Sequence, residues 1–456
     1  MTKQEIINTV ETAYKHNVEL ASMLTDACEL TDYRALTYEK DGFTVWTQAL
    51  QTALNEHETV IIPPSDLPYG IDGTVTIPSR RKIVAEGAEI LQLPGVRVLM
   101  LRNEHTENGT HAPVSGKNRD SDIMITGGTW AESWTERLGY GCSGQYDLEY
   151  TWKGVSTLFY FCNADRVTVK NVTFRHTAGF SVQCGDVNDI MFDDITFEEC
   201  FADGLHINGN THCVLCRNVR GQVGDDLVAL NMYDWQNSSV NFGPASVIYC
   251  QDLSMSDSSP YKAMRILPGT YWYADGSSVD CALRDAYILR SSGVVTYKMY
   301  YQTPAYRLGT APERGEVGSG DNIYFEDIDI DLYRPNDGFK EYTTGDPIKG
   351  AFGAFELGAN IGTLSLENIH IKMYRDRYPN SYLLVCGPKS CLTHEGSVEV
   401  FDPYLSSTTK RLIIKELYVN GERVEDVRPY IFETVFDDVN RDGFSTARGT
   451  IEEIVG

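Results

Sequence analysis

The sequence predicts an all-β protein, a single-stranded right-handed parallel β-helix (solenoid) with an N-terminal helical cap. Three observations predict it. A pattern of apolar, polar, apolar, then Asn, Asp or Glu at a bend, then apolar, polar, apolar recurs along the chain. It appears in "DRVTVKNVTF" (165–174), "NDIMFDDITF" (188–197), "HCVLCRNVRG" (212–221), "DNIYFEDIDI" (321–330), "GTLSLENIHI" (362–371) and "KRLIIKELYV" (410–419). Asn171, Asp194 and Asn218 share one phase, at separations of 23 and 24 residues. The later bend residues Asp252, Asp285, Asp327 and Asn368 follow at 33 to 42, so loops are inserted into the same coil.

Two short alternating strands joined by an Asn-rich bend stack coil on coil, so contacts reduce to nearest neighbours and bend asparagines line up along the axis. A β-sandwich would instead show hairpins every 8–12 residues or so with Asn-Gly or Gly-Gly turns, and that pattern is not dominant. At the N-terminus, "TKQEIINTVETAYKHNVEL" and "VWTQALQTALNEH" carry apolar residues at helical spacing. They read as helices that cover the first open coil, since a bare end would expose a sheet edge. The expected organisation is a helical cap region over 1–60, a β-helix over 61–425 and a tail over 426–456.

Composition narrows the function. Of 456 residues, 42% are hydrophobic and 23% charged, values for a protein with a large core. Thirty-nine Lys and Arg stand against 64 Asp and Glu, a net charge of -25, whose field repels nucleic acid, anionic membrane and polyanions. A neutral ligand is expected. "MTKQEIINTVETAYKHNVEL" has no continuous apolar run, so no secretory signal is read, and no segment reaches the ~18 apolar residues of a membrane span. The eleven cysteines are scattered and read as buried thiols in a reducing, cytoplasmic compartment. Cys213 and Cys216 have C-x-x-C spacing without a second pair, too little for a zinc site. No metal or cofactor is expected, and the pattern leaves room for a homo-oligomer paired through a flank.

Phasing the repeats locates the chemistry. Placed one coil apart, "FSVQCG" (180–185), "DGLHIN" (203–208), "DLVALN" (226–231) and "KAMRIL" (262–267) put Val182, Leu205, Val228 and Met264 in one interior column. Cys184, Ile207, Leu230 and Ile266 fall in another. Strand alternation sends Gln183, His206, Ala229 and Arg265 to the opposite, solvent face, with Asn208 and Asn231. Asp203 stacks on Asp226, with Asp225 directly before it, and coils lie only ~4.8 Å apart. Carboxylates that close raise at least one pKa, giving a protonated acid beside an ionised base. That is the pair glycoside hydrolysis uses, and a wider gap leaves room for the water of an inverting reaction. Trp235, and Trp272 within "YWY", are placed to stack on sugar faces, the alternative being packing of their own loops. Lys298 and Glu356 can face the same groove.

The strand "ADGLHINGN" followed by "VGDDLVALN" resembles glycoside hydrolase family 28, the polygalacturonase-like enzymes, which carry Asn-Thr-Asp-Gly and then Gly-Asp-Asp one coil later. "DGFTVWTQALQTAL" with "TVIIPP" looks like the capping region of pectate-lyase-like β-helix proteins. The resemblance implies that Asp225 is the general acid and that Asp203 and Asp226 together activate water. The departures are Phe201 and Ala202 in place of the family's Asn and Thr, no Gly-His-Gly after Asp226, and "RIL" (265–267) in place of Arg-Ile-Lys. With half of that basic pair missing, the expected substrate is a neutral or short oligosaccharide rather than pectin. The catalytic candidates are Asp203, Asp225, Asp226 and His206. The substrate-binding candidates are Gln183, Asn208, Asn231, Trp235, Arg265, Trp272, Lys298 and Glu356. Two alternatives stay open: a β-helix lyase or epimerase acting on uronates, for which the three acids would be a calcium site, and a non-catalytic carbohydrate-binding protein.

Overall fold

The computed structural model describes residues 1–106, 117–135, 157–234, 239–273, 275–300, 317–333, 352–387, 392–395, 398–401, 406–433, 435–436 and 447–456. They form a right-handed parallel β-helix, the hand that parallel crossovers take. Long strands pair in parallel from one coil to the next through Thr157–Arg175, Phe180–Glu198, Thr211–Gly221, Ala245–Met255, Leu283–Ser292, Ser319–Leu332, Asn360–Met373 and Ser407–Val419. A second face stacks the short strands Leu205–Asn208, Val228–Asn231, Ala263–Ile266, Thr296–Tyr300, Phe352–Gly358, Ser381–Cys386 and Ile431–Glu433.

The register is the one the repeat predicts. Phe159 pairs with Val182, Val182 with Leu205 and Leu205 with Val228, and Leu230 pairs with Ile266. Val182, Leu205, Val228 and Met264 all lie inside, in one continuous core. Aromatic ladders extend it: Phe174 stacks on Phe197 and Tyr297 on Phe355.

The bends use the left-handed region, where Asn and Asp are the L-residues best tolerated. Asn171, Asp194, Asn218, Asp252, Asp327 and Asn368 have φ between 52 and 58°, and Asn368 donates to Asp327 on the coil before it at 2.7 Å. Asp285 also has positive φ but belongs to a different column. It pairs in phase with Val247 and Asn322, five residues earlier in the coil than the column of Asp252, where Arg290 takes the bend. Each coil thus carries more than one left-handed bend, and a repeat read from bend residue type alone merges two of them.

The two N-terminal helices have different places. Thr47–Glu56 buries Ala49, Leu50, Ala53 and Leu54 in the main core and covers its first coils. Lys3–Ser22, started by a Thr2–Glu5 capping box, lies along the flank instead. Its Ile6 and Val10 pack on Met191, Leu215, Tyr249 and Tyr287 from successive coils. Arg217 binds Glu11 and Asp193, and Lys3 bridges Glu326 and Glu367. No helix among the described residues is long and apolar enough to cross a membrane. The nine described cysteines are free, and all but Cys28 are buried.

Glu132 is a buried carboxyl in the core wall. Its Oε2 accepts the Ala178 N–H, while Oε1 has no hydrogen bond. Burial pushes its pKa up to about 7, against the opposing Ala178 bond. A raised folded-state pKa means that the stabilisation is full below the unfolded value of 4.5 and is lost as pH rises through about 7. Glu132→Gln should therefore remove on the order of 3 kcal/mol of pH-dependent destabilisation between pH 5 and 8, read by urea unfolding at both values. The same pH dependence in both proteins would refute this role for Glu132.

Candidate active site

The site forms where consecutive coils pass close to one another. A Cβ on Gly204 would meet the Phe197 ring at 2.6 Å and the Leu227 carbonyl at 2.7 Å, and one on Gly224 would meet the Phe201 carbonyl at 2.2 Å. The glycines of "ADG" and "GDD" are steric requirements of this approach, and the acids beside them are brought together by it. One oxygen from each of Asp203, Asp225 and Asp226 lies within 4.8 Å of the other two, and all three side chains are at most 4% exposed.

Their partners differ. Asp203 accepts the Asp226 backbone N–H at 3.2 Å through Oδ1 and lies 2.6 Å from His206 Nδ1 through Oδ2. It therefore ties its own strand to the next coil. Asp225 Oδ1 accepts from Arg265 Nη2 at 2.9 Å, a pairing that favours the carboxylate. Asp226 has no hydrogen bond to either side-chain oxygen; Arg265 Nε stands 3.3 Å from its Oδ2. Burial raises the Asp226 pKa well above the usual carboxylate range; Asp225 and Asp203 add to this, and Arg265 and Lys298 oppose it.

The other candidates fall into three groups. His206, Arg265, Lys298 and Glu356 occupy one outward column in the order of the strand pairing. That column is not the solvent face expected from alternation: His206 is 1% exposed, Gln183 and Lys298 0%, Arg265 5% and Glu356 2%. The register is right, since Leu205 is inside, but the outer face is covered. His206 stacks on Phe180 at 3.9 Å, and its Nε2 stands 3.5 Å from Asp234 Oδ2. Gln183 donates to Asn208, whose Oδ1 also accepts the Val240 N–H, and Asn231 donates to Asp234. These amides tie Val240 and Asp234 to the strands. Trp272 lies half-buried on an antiparallel hairpin, paired with Ser278. Trp235 lies outside the described residues.

The basic pair that looks half missing in "RIL" is rebuilt across coils. Lys298 is the strand partner of Arg265, and the cations of both lie 5.1 Å from the Tyr261 ring. Tyr261 and Asp234 escape a reading of the sequence because both sit in loops of irregular length, outside the 23-residue register. Phe180 opens the segment "FSVQCG" three residues before Gln183, and nothing in the repeat sets it apart from other apolar residues. Cys213 packs against the flank helix while Cys216 points into the main core, so the C-x-x-C pair cannot share a metal. Two groups of described residues could offer three ligand atoms to a cation: the three acids, and Glu104, His105 and Asp120. In the first, Arg265 already supplies compensating charge; in the second, Asp120 already accepts from Asn103 and from the His105 N–H.

No family model matches the chain, and no curated protein matches it in sequence. Among solved structures it is similar to a family 28 exopolygalacturonase from Yersinia enterocolitica (12% identity, TM-score 0.45, covering 94% of this chain and 78% of that one). It is similar to a hyperthermoactive exopolygalacturonase from Thermotoga maritima (13%, 0.45, 91% and 97%). It is also similar to PfbA, a surface adhesin of Streptococcus pneumoniae (12%, 0.41, 94% and 100%). At these identities the likeness assigns no residue and no activity.

His206 fills the space between Phe180, Asp203 and Asp234. His206→Ala should leave Asp203 Oδ2 without its partner and open a void against Phe180, lowering stability by roughly 2–4 kcal/mol. Urea unfolding measures this, and a change below about 0.5 kcal/mol would show that the ring is not a structural member of the cluster.

Proposed function

We propose that the protein is a glycoside hydrolase acting on a neutral oligosaccharide through Asp203, Asp225 and Asp226. The observation that carries this reading is the asymmetry of the cluster: three converging carboxylates, one paired with Arg265 and one desolvated and without hydrogen bonds. A carboxyl kept protonated beside an ionised one is the acid and base couple of glycoside cleavage. These environments support a division of labour different from the one the resemblance implies. Asp226 gives its proton to the glycosidic oxygen as that bond breaks. The Asp225 carboxylate takes the proton of the water that bonds to the anomeric carbon. Asp203 holds Asp226 and His206 in place. The cluster has five acids, counting Asp234 and Glu356, against Arg265 and Lys298, so a neutral sugar suits it better than a uronate. For the same reason the lyase or epimerase alternative is weaker: Arg265 is already committed to Asp225 and Asp226.

Turnover requires motion. With the acids at most 4% exposed, a sugar reaches them only when the segments over the strands move aside. The 4.8 Å limit between nearest oxygens is also short of the ~6.5–9.5 Å typical of an inverting pair. Inversion, for which the sequence reading required a wider gap, needs the same opening to admit its water. The burial favours a second reading, a binding protein in which the acids form a buried network with no turnover.

The test is hydrolysis of neutral aryl glycosides and short oligosaccharides, with the first-formed anomer followed by NMR. Asp225→Asn and Asp226→Asn should each lower kcat by roughly 10² to 10⁴. Only Asp226→Asn should regain activity on aryl glycosides whose leaving group needs no protonation. Recovery in Asp225→Asn instead would return the acid role to Asp225. Unchanged turnover in Asp203→Asn, Asp225→Asn and Asp226→Asn on a confirmed substrate would show that the acids are not the catalytic site, and no turnover of any of these substrates by the wild type would leave the binding reading.

A further inference from the structure

A second site lies on the C-terminal half of the β-helix, on the strand stack that also carries the acids. From Val228–Asn231, stacking passes through Ala263–Ile266, Thr296–Tyr300 and Phe352–Gly358 to Ser381–Cys386. Four coil steps place it roughly 19 Å along the axis from Asp226. There the turn that precedes Ser381–Cys386 opens a cavity of 680 Å³, within the ~300–1,000 Å³ usual for small-molecule sites. A neighbouring cavity of 480 Å³ shares Asp331 and Tyr333 with it.

Its lining is aromatic and polar together. Tyr333, Tyr374, Tyr378 and Tyr430 contribute rings, and Tyr374 is 42% exposed. The rings are held before any ligand arrives. The Arg375 guanidinium lies 4.7 Å over Tyr430 and donates to the carbonyls of Ser381 and Pro429. Arg377 lies 5.1 Å over Tyr378, whose other neighbour is Phe352, edge-on at 5.7 Å. The charges in the cleft balance, Arg375 and Arg377 against Asp331 and Asp376, so neither an anion nor a cation is selected. The Tyr374 hydroxyl bonds to Asp331, whose side chain is 45% exposed and stands 3.9 Å from Lys372 Nζ.

We propose that this cleft binds a neutral oligosaccharide. Sugar rings present C–H faces that pack on tyrosine and hydroxyl rims that match forked donors and carboxylate acceptors, and fixed rings lower the ordering cost of binding. The site stands apart from the acids and does not depend on their turning over substrate.

Isothermal titration of the full chain with five neutral pentasaccharides (cello-, laminari-, malto-, xylo- and mannopentaose) tests it. At least one should bind the wild type. Tyr374→Ala and Tyr378→Ala should each weaken that binding at least tenfold, Tyr374→Phe should retain it, and Asp226→Asn should leave it unchanged. Because Tyr374 is exposed, its alanine variant should unfold at the wild-type urea midpoint, which separates lost binding from lost folding. The proposal is overturned if none of the five binds, if Tyr374→Ala and Tyr378→Ala bind as the wild type does, or if binding is lost in Asp226→Asn, which would assign the sugar to the acid cluster.

Discussion

The parallel ladder between consecutive coils is the constraint on which the structure depends. It converts a separation of 23 residues in sequence into a neighbour about 4.8 Å away, so any residue type repeated at that interval becomes a column. Apolar columns such as Val182, Leu205 and Val228 make the core. Asn and Asp in the left-handed bends let the chain turn without the strain that other side chains carry there. Where the repeated residue is an aspartate, the same geometry forces like charges together at a cost that folding alone would not select.

That cost is concentrated in Asp226. Asp203 and Asp225 have partners that suit an ionised carboxylate, and Asp226 has none of comparable quality. Arg265 and Lys298, gathered over Tyr261 from two coils, offset part of the crowding and leave the asymmetry in place. The cluster is thus uneven, with one carboxyl desolvated beside two that have partners, and the proposed acid and base roles rest on that unevenness.

Much of this was legible in the sequence because it is periodic. The β-helix, its register, the stacking of Asp203 on Asp226 and the arrival of Arg265 beside them all follow from counting residues. What was not legible lies off the period. His206 is buried against Phe180, Asp203 and Asp234, and alternation describes only which face a side chain takes, not what covers that face. Lys298 could be placed in the groove but not recognised as the second cation, since an inserted loop stands between it and Arg265 in sequence. The helix Lys3–Ser22 looks like an end cap because its apolar spacing specifies a buried face and not the surface that buries it.

The central proposal is that Asp226, its pKa raised by burial, is the protonated partner of Asp225. Infrared difference spectroscopy of the aspartate carboxyl stretch, comparing wild type with Asp226→Asn at pH 7, tests it most directly. The account predicts a protonated-carboxyl band in the wild type that Asp226→Asn removes and Asp225→Asn does not. A wild-type spectrum unaltered in that region by Asp226→Asn would contradict it.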